Sequence, residues 1–377
     1  MHHIIGRLRA APIAFAYQHV LKKLFFRKDP EVIHDQMTAT GVRLGSSRAG
    51  RLLTAAAFRY QHLRLTQTIE GIQLSNPIGL AAGFDKDGLL APLVGSIGFG
   101  SLEIGTITNM PAEGNAKPRL WRMPQAESLV VHYGLKNQGA EALVARMQQL
   151  PTDRHPAALG ISVAPTNTPS LTTQAALIDD TVAAAAQVSP YGDWLTINLS
   201  CPNACQDKPF EKPQSLDALL TALATLPELP PVFIKLSPDL HAEDAHELLT
   251  VAANHGVSGV ILGNLTKDTR ALPNGTLIPG PGGYSGKPTA QRSARLLYDM
   301  AGKWKREFTY VACGGIFTVD DAYSRIRLGA SFVQLVSGLI FKGPQLPGQL
   351  NAQLVARLKR DGFTHISEAV GADVWRG

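Results

Sequence analysis

The chain has 377 residues, 45% of them hydrophobic and 18% charged, with a formal net charge of +6. This composition excludes a disordered or fibrous chain, and three cysteines are too few for a disulfide framework, which favours a reducing compartment. Residues 1–60 hold ten Lys and Arg against three Asp and Glu, net +7, so the rest of the chain sums to −1, a near-neutral body ill-suited to nucleic acid.

The basic character therefore belongs to an N-terminal arm. Its apolar stretch, Ala10 to Leu21, is interrupted by Gln18 and His19. It is shorter than the roughly 20 apolar residues that a membrane span needs, and no small-residue cleavage site follows it. Ile13, Tyr17, Val20, Leu21, Leu24 and Phe25 recur at helical spacing, with Arg7, Arg9, Lys22, Lys23, Arg27 and Lys28 at the ends. Such a helix suits an anionic interface, and it equally suits packing on the domain that follows. A second helix is expected from Asp29-Pro30-Glu31, with Asp29 as its cap and Pro30 in its first turn, and a third over Ser47 to Tyr60. Leu63–Leu74, turning at Glu70-Gly71, predicts a short hairpin.

From there strands and helices alternate. Eight short apolar runs predict strands at Ile78–Ala81, Ser101–Ile107, Ala158–Val163, Trp194–Leu199, Val232–Leu236, Gly259–Leu262, Tyr310–Cys313 and Phe332–Leu335. Helical patterns separate them at 138–149, 172–187, 215–226, 242–255, 289–302 and 318–328. The expected fold class is α/β, a (β/α)8 TIM barrel over residues 61–377 with an N-terminal helical extension over 1–60. An open doubly wound sheet would want a Gly-rich phosphate loop after its first strand, and none of that form is present.

In a barrel, polar residues just past each strand face one mouth. Read in order they are Asp85 and Lys86, Thr106 and Thr108, Ser162, Asn198 with Ser200, Cys201 and Asn203, Lys235, Asn264, Gly314-Gly315, and Ser337-Gly338. The asparagines around Cys201 offer donors and acceptors to a polar heterocycle. Cys201 is a general base or nucleophile if its pKa is lowered, or else an inert buried thiol. Cys201 and Cys205 have no second Cys/His pair nearby, so no metal site is expected. Lys235 lies inside an apolar strand; it either serves the negative edge of a reduced flavin or pairs with a barrel carboxylate. Gly314-Gly315 and Ser337-Gly338 stand where barrels commonly bind phosphate.

Asn76-Pro77-Ile78-Gly79-Leu80-Ala81-Ala82-Gly83-Phe84-Asp85-Lys86-Asp87-Gly88, Glu103-Ile104-Gly105-Thr106, Lys117-Pro118-Arg119-Leu120-Trp121-Arg122, Gly283-Tyr284-Ser285-Gly286-Lys287-Pro288 and Ser337 to Pro344 resemble the dihydroorotate dehydrogenase family. The arm, with Asp29-Pro30-Glu31 and His34, resembles its membrane-associated, quinone-using class 2. The resemblance implies FMN held by Ala82, Gly83, Lys86, Thr106, Asn198, Lys235, Gly286, Gly315 and Ser337, with Ser162, Gly314 and Gly338 beside them. It implies a substrate, dihydroorotate, held by Lys86, Asn198, Asn203 and Asn264, with Cys201 as base. His34 and Arg122 would lie at a quinone entrance, and the arm would rest peripherally on the cytoplasmic face of the cell membrane.

The chain also departs from the family. Cys201 stands where class 2 members usually carry Ser, as in the soluble class. Val131 replaces the substrate-binding Asn, Ser162 an Asn of the third strand, Leu265 a Thr, and Val336 a Tyr of the tunnel. Lost amides cost about 1–3 kcal/mol each where a partner stays buried and unpaired. The departures keep two other readings open: a barrel flavoenzyme acting on a related dihydropyrimidine, and a divergent barrel without catalysis.

Overall fold

The computed structural model describes residues 12–200, 203 and 208–375. Arg7, Arg9, Cys201 and Cys205 lie outside the described residues.

Eight parallel strands close into a barrel in chain order: Ile78–Leu80, Ser101–Ile107, Ala158–Val163, Trp194–Asn198, Val232–Leu236, Gly259–Leu262, Thr309–Cys313 and Ala330–Leu335. Their Val- and Ile-rich runs are buried on both faces, as a barrel wall covered by helices requires. The six predicted inter-strand helices form at Ala140–Met147, Gln174–Val188, Pro213–Leu223, Ala242–Asn254, Ala290–Trp304 and Val319–Arg327. Helix Val319–Arg327 starts with a reciprocal cap between Thr318 and Asp321.

The barrel interior is filled rather than hollow. Trp194, Phe233 and Phe332 meet there, with ring centroids 6.1 and 5.9 Å from Trp194. Gly160 on the neighbouring strand makes the room, since a Cβ there would stand 2.0 Å from the indole. The predicted hairpin, Gln67–Ile69 and Ile72–Leu74, adds Ile72 and Leu74 to the same cluster.

Asp29 caps helix Pro30–Ser46 by accepting from the backbone N–H groups of Glu31 and Val32, and helix Arg48–Phe58 follows. Ahead of them, Tyr17–Leu21 is a π-helical turn continuing into Lys22–Phe25. One side of this segment is clamped to the barrel: Tyr17 Oη donates to the Ile340 carbonyl, and Gln18 to those of Phe341 and Lys342. The other side leaves Phe15, Val20, Leu21 and Leu24 exposed. The arm thus has a packed face and a bare apolar one.

The largest elements without a predicted counterpart are a sheet and a helix. A three-stranded antiparallel sheet forms from Leu120–Met123, Ser128–Val131 and Gly283–Tyr284. A long helix, Leu346–Arg360, packs its buried face on the body.

Candidate active site

The C-terminal ends of the barrel strands and the three-stranded sheet enclose two adjoining cavities of about 180 and 110 Å³. They share Ala82, Gly83, Lys86, Val131, Tyr133, Lys235, Asn264 and Leu265. A larger hollow of about 600 Å³ is lined by Thr66, Gln67, Arg306 and Trp375 among others, around the hairpin and away from every strand-end residue singled out above.

Strand ends are tied into one polar ring. Asn198 donates to Thr106 Oγ1 at 2.8 Å, and the Thr106 and Ser162 hydroxyls are hydrogen-bonded to each other at 3.0 Å. Ser200 donates to Asn198 Oδ1, and Asn264 donates to Ser200 Oγ at 2.8 Å. Asn203 donates to the Val131 carbonyl at 2.9 Å, which fastens the strand-four loop to the sheet above the mouth. Asn198, Asn203 and Asn264 all reach the smaller cavity with Thr106, whereas Ser162 lines neither cavity and acts on the site through Thr106.

Lys235 is 3% exposed, and its Nζ lies 3.3 Å from the fully buried Glu103 Oε2. Burial works against the ammonium, but the Glu103 carboxylate outweighs it and lifts the lysine above its ordinary pKa. Of the two alternatives for Lys235, the pairing with a barrel carboxylate is formed, and the lysine also lines both cavities. Glu103 was overlooked in the sequence, although a carboxylate inside Ser-Leu-Glu-Ile-Gly carries the same signal as Lys235. Beside this pair sits Cys313, a buried free thiol whose pKa burial pushes up.

The larger cavity ends in a glycine-lined recess formed by Gly286, Gly314, Gly315, Ser337 and Gly338. Gly314 and Gly315 have φ of +100° and +73°, which glycine alone adopts freely, and a Cβ on Gly315 would stand 2.4 Å from Ala290 Cβ. Gly83, with φ +98°, is exposed to the open cavity, where an added Cβ would meet no protein atom within 4 Å. Ser285 and Ser337 hydroxyls lie 2.8 Å apart at the recess. A buried cation at one end, bare backbone in the middle and small or hydroxyl residues at the other fit a flat ring carrying a phosphate. The recess fits FMN.

Lys86 is half-buried, with Nζ 4.0 Å from the centre of the Tyr133 ring. Burial first and Lys136 second draw its pKa down to about 8. The preceding Asp85 accepts from the Leu89 and Leu90 backbone N–H groups, fixing the loop that carries Lys86. His34 packs edge-on against Phe84 at 5.0 Å and lines the larger cavity; burial, then Lys86, lowers its pKa to about 3, so it stays neutral near pH 7. Leu120, Leu129, Val336 and Ile340 make this end of the cavity apolar. Arg122 does not line it; the guanidinium donates to the Lys28 carbonyl at 2.8 Å and lies 4.8 Å from the Phe26 ring.

The arm reaches the site through Glu31. This carboxylate, 5% exposed, accepts from Arg119 at 2.8 Å and lies 3.5 Å from Lys117 and 3.7 Å from Lys136. Burial raises its pKa, and the three cations more than reverse that. Arg119 in turn lies 5.2 Å from the Tyr133 ring that carries Lys86.

The family model for dihydroorotate dehydrogenase matches residues 64–358. The chain is 37% identical to a dihydroorotate dehydrogenase (quinone) of Deinococcus deserti, over 95% of this chain and 99% of the relative. It is 33% identical to one of Anaeromyxobacter dehalogenans, over 95% and 97%. The crystal structure of the Eimeria tenella DHODH in complex with ferulenol superposes with a TM-score of 0.81 at 27% identity, covering 93% of this chain and 96% of that one.

Proposed function

The chain belongs to the dihydroorotate dehydrogenase family, and from that premise we propose that it oxidises dihydroorotate to orotate in pyrimidine biosynthesis, with FMN as hydride acceptor and a quinone as final oxidant. The observation that carries the reading is the convergence of Lys86, Lys235, Asn198, Asn203 and Asn264 on one cavity that continues into the glycine recess.

FMN, when bound, supplies the ring that takes a hydride from C6 of the substrate and yields the electrons to quinone. Lys235 would supply a fixed positive charge to the edge of the flavin that becomes negative on reduction. Glu103 keeps that lysine protonated. Gly314, Gly315, Ser337 and Gly338 offer backbone N–H and hydroxyl groups to the phosphate, with no side chain in the way. Asn198, Asn203 and Asn264 orient the substrate's ring amides, and the Lys86 ammonium faces its carboxylate. The proton from C5 passes to Cys201, which lies outside the described residues. A thiol is adequate there because a few per cent is thiolate near pH 7 even unperturbed.

The apolar end of the cavity, beside neutral His34, suits a quinone, and Arg122 lies outside that cavity against Lys28 and Phe26 of the arm. Phe15, Val20, Leu21 and Leu24, flanked by Lys22, Lys23, Arg27 and Lys28, suit the cytoplasmic surface of an anionic membrane. No described helix is long and apolar enough to cross a membrane.

Purified, FMN-loaded protein given dihydroorotate and a soluble quinone should reduce the quinone, and Lys86→Ala should lose most of that turnover. A protein that reduces quinone with dihydrouracil but not with dihydroorotate would overturn the substrate. Val131 and Leu265, which line the pocket without side-chain polar atoms, make that comparison worth running.

A further inference from the structure

We propose that Lys136 is a second carboxylate-binding residue of the substrate pocket and replaces the amide that Val131 lacks. This rests on the dihydroorotate reading.

Lys86 and Lys136 line the same two spaces: the small cavity bordered by the three asparagines, and the crevice beneath helix Pro30–Ser46. Two ammonium groups on one wall repel each other, and Lys136 is the leading charged neighbour that weakens the proton on Lys86. An anion between them relieves both.

The rest of the pocket offers an anion little. Val131 and Leu265 present only hydrocarbon to it. Asn264 gives its amide hydrogens to Ser200, and Asn198 and Asn203 each commit one, to Thr106 and to the Val131 carbonyl, which leaves their free groups to the ring amides. The Lys86 and Lys136 ammonium groups are the charged donors on this wall.

Lys136 is also held only by a long contact. Its side chain is 39% exposed, and its ion pair with Glu31 is long, at 3.7 Å. Glu31 keeps Arg119 at 2.8 Å and Lys117 at 3.5 Å when Lys136 leaves. A dihydropyrimidine with a ring carboxylate therefore gains a partner that an uncharged ring does not, so Lys136 determines specificity for the acid.

The test is a binding titration of FMN-loaded protein, read by calorimetry and by the perturbation of the flavin absorbance. Orotate and uracil are compared, since uracil is the same ring without the carboxylate. Lys136→Met should weaken orotate by roughly tenfold or more, as loss of a charge-assisted hydrogen bond does. Uracil should change less than about twofold, the scale of a contact that it does not make. Lys136→Arg should keep orotate binding near that of the unaltered protein. Orotate binding unaffected by Lys136→Met, or orotate and uracil weakened alike, would overturn the proposal. If the unaltered protein binds no orotate, the dihydroorotate reading falls, and this proposal with it.

Discussion

Two lysines in the same mouth titrate in opposite directions, and each makes a prediction. Lys86 has its pKa drawn down to about 8 by burial and Lys136, against about 10.5 for a free lysine. Orotate needs the ammonium form. Its affinity should be constant below pH 8 and fall as pH rises through 8, approaching tenfold per unit, while uracil binding stays flat. The depressed pKa also means that the folded protein binds fewer protons than the unfolded chain between pH 8 and 10.5, so the Lys86 contribution to stability rises with pH across that window. Lys235 is the opposite case, held charged by Glu103. Lys235→Ala leaves Glu103 buried without its partner and should cost about 3–5 kcal/mol in denaturant unfolding. A cost below about 1 kcal/mol would mean that Glu103 finds another partner or is neutral.

Among the elements, the glycine recess and the arm were legible in different degrees. Gly314-Gly315 stood out because two glycines after the seventh strand have few structural reasons to be there. Gly315→Val introduces a branched side chain at φ +73° against Ala290, so the purified variant should carry little flavin while its fold persists. The eight strands were readable because each is a short apolar run bounded by turn residues, and all eight form within three residues of their predicted ends. The sheet over the mouth was not. Its two longer strands have four residues each, and its third, Gly283–Tyr284, comes from far along the chain. Helix Leu346–Arg360 was hidden by Pro347 and Gly348 in its first turn, which read locally as a break.

The arm element carries its own prediction. Replacing Val20 and Leu24 by Glu puts charge on the exposed face and leaves the Tyr17 and Gln18 clamps in place. The double variant should fail to float with anionic vesicles yet turn over a soluble quinone normally. Retained flotation would return this helix to the role of a packing cap.

On the scale of the whole molecule, charge and polarity are divided between two ends. The cation excess of residues 1–60 lies in the arm, and that arm reaches the substrate side of the site through Glu31, Arg119 and Tyr133. No sequence pattern announces this connection, because Glu31 and Arg119 belong to separate elements and meet only once the barrel closes. The positions of the motif residues were legible for the opposite reason: Lys86, Asn198 and Lys235 lie at or near the C-terminal ends of predicted strands, and the structure brings them to one cavity.

If this mouth removes hydride from dihydroorotate, an anaerobic stopped-flow mix of FMN-loaded protein with dihydroorotate and no quinone will show it. The oxidised flavin absorbance should fall rapidly, Cys201→Ala should abolish that loss, and the absorbance should recover when quinone is added. A flavin that stays oxidised with dihydroorotate, in protein that holds its FMN, would contradict it.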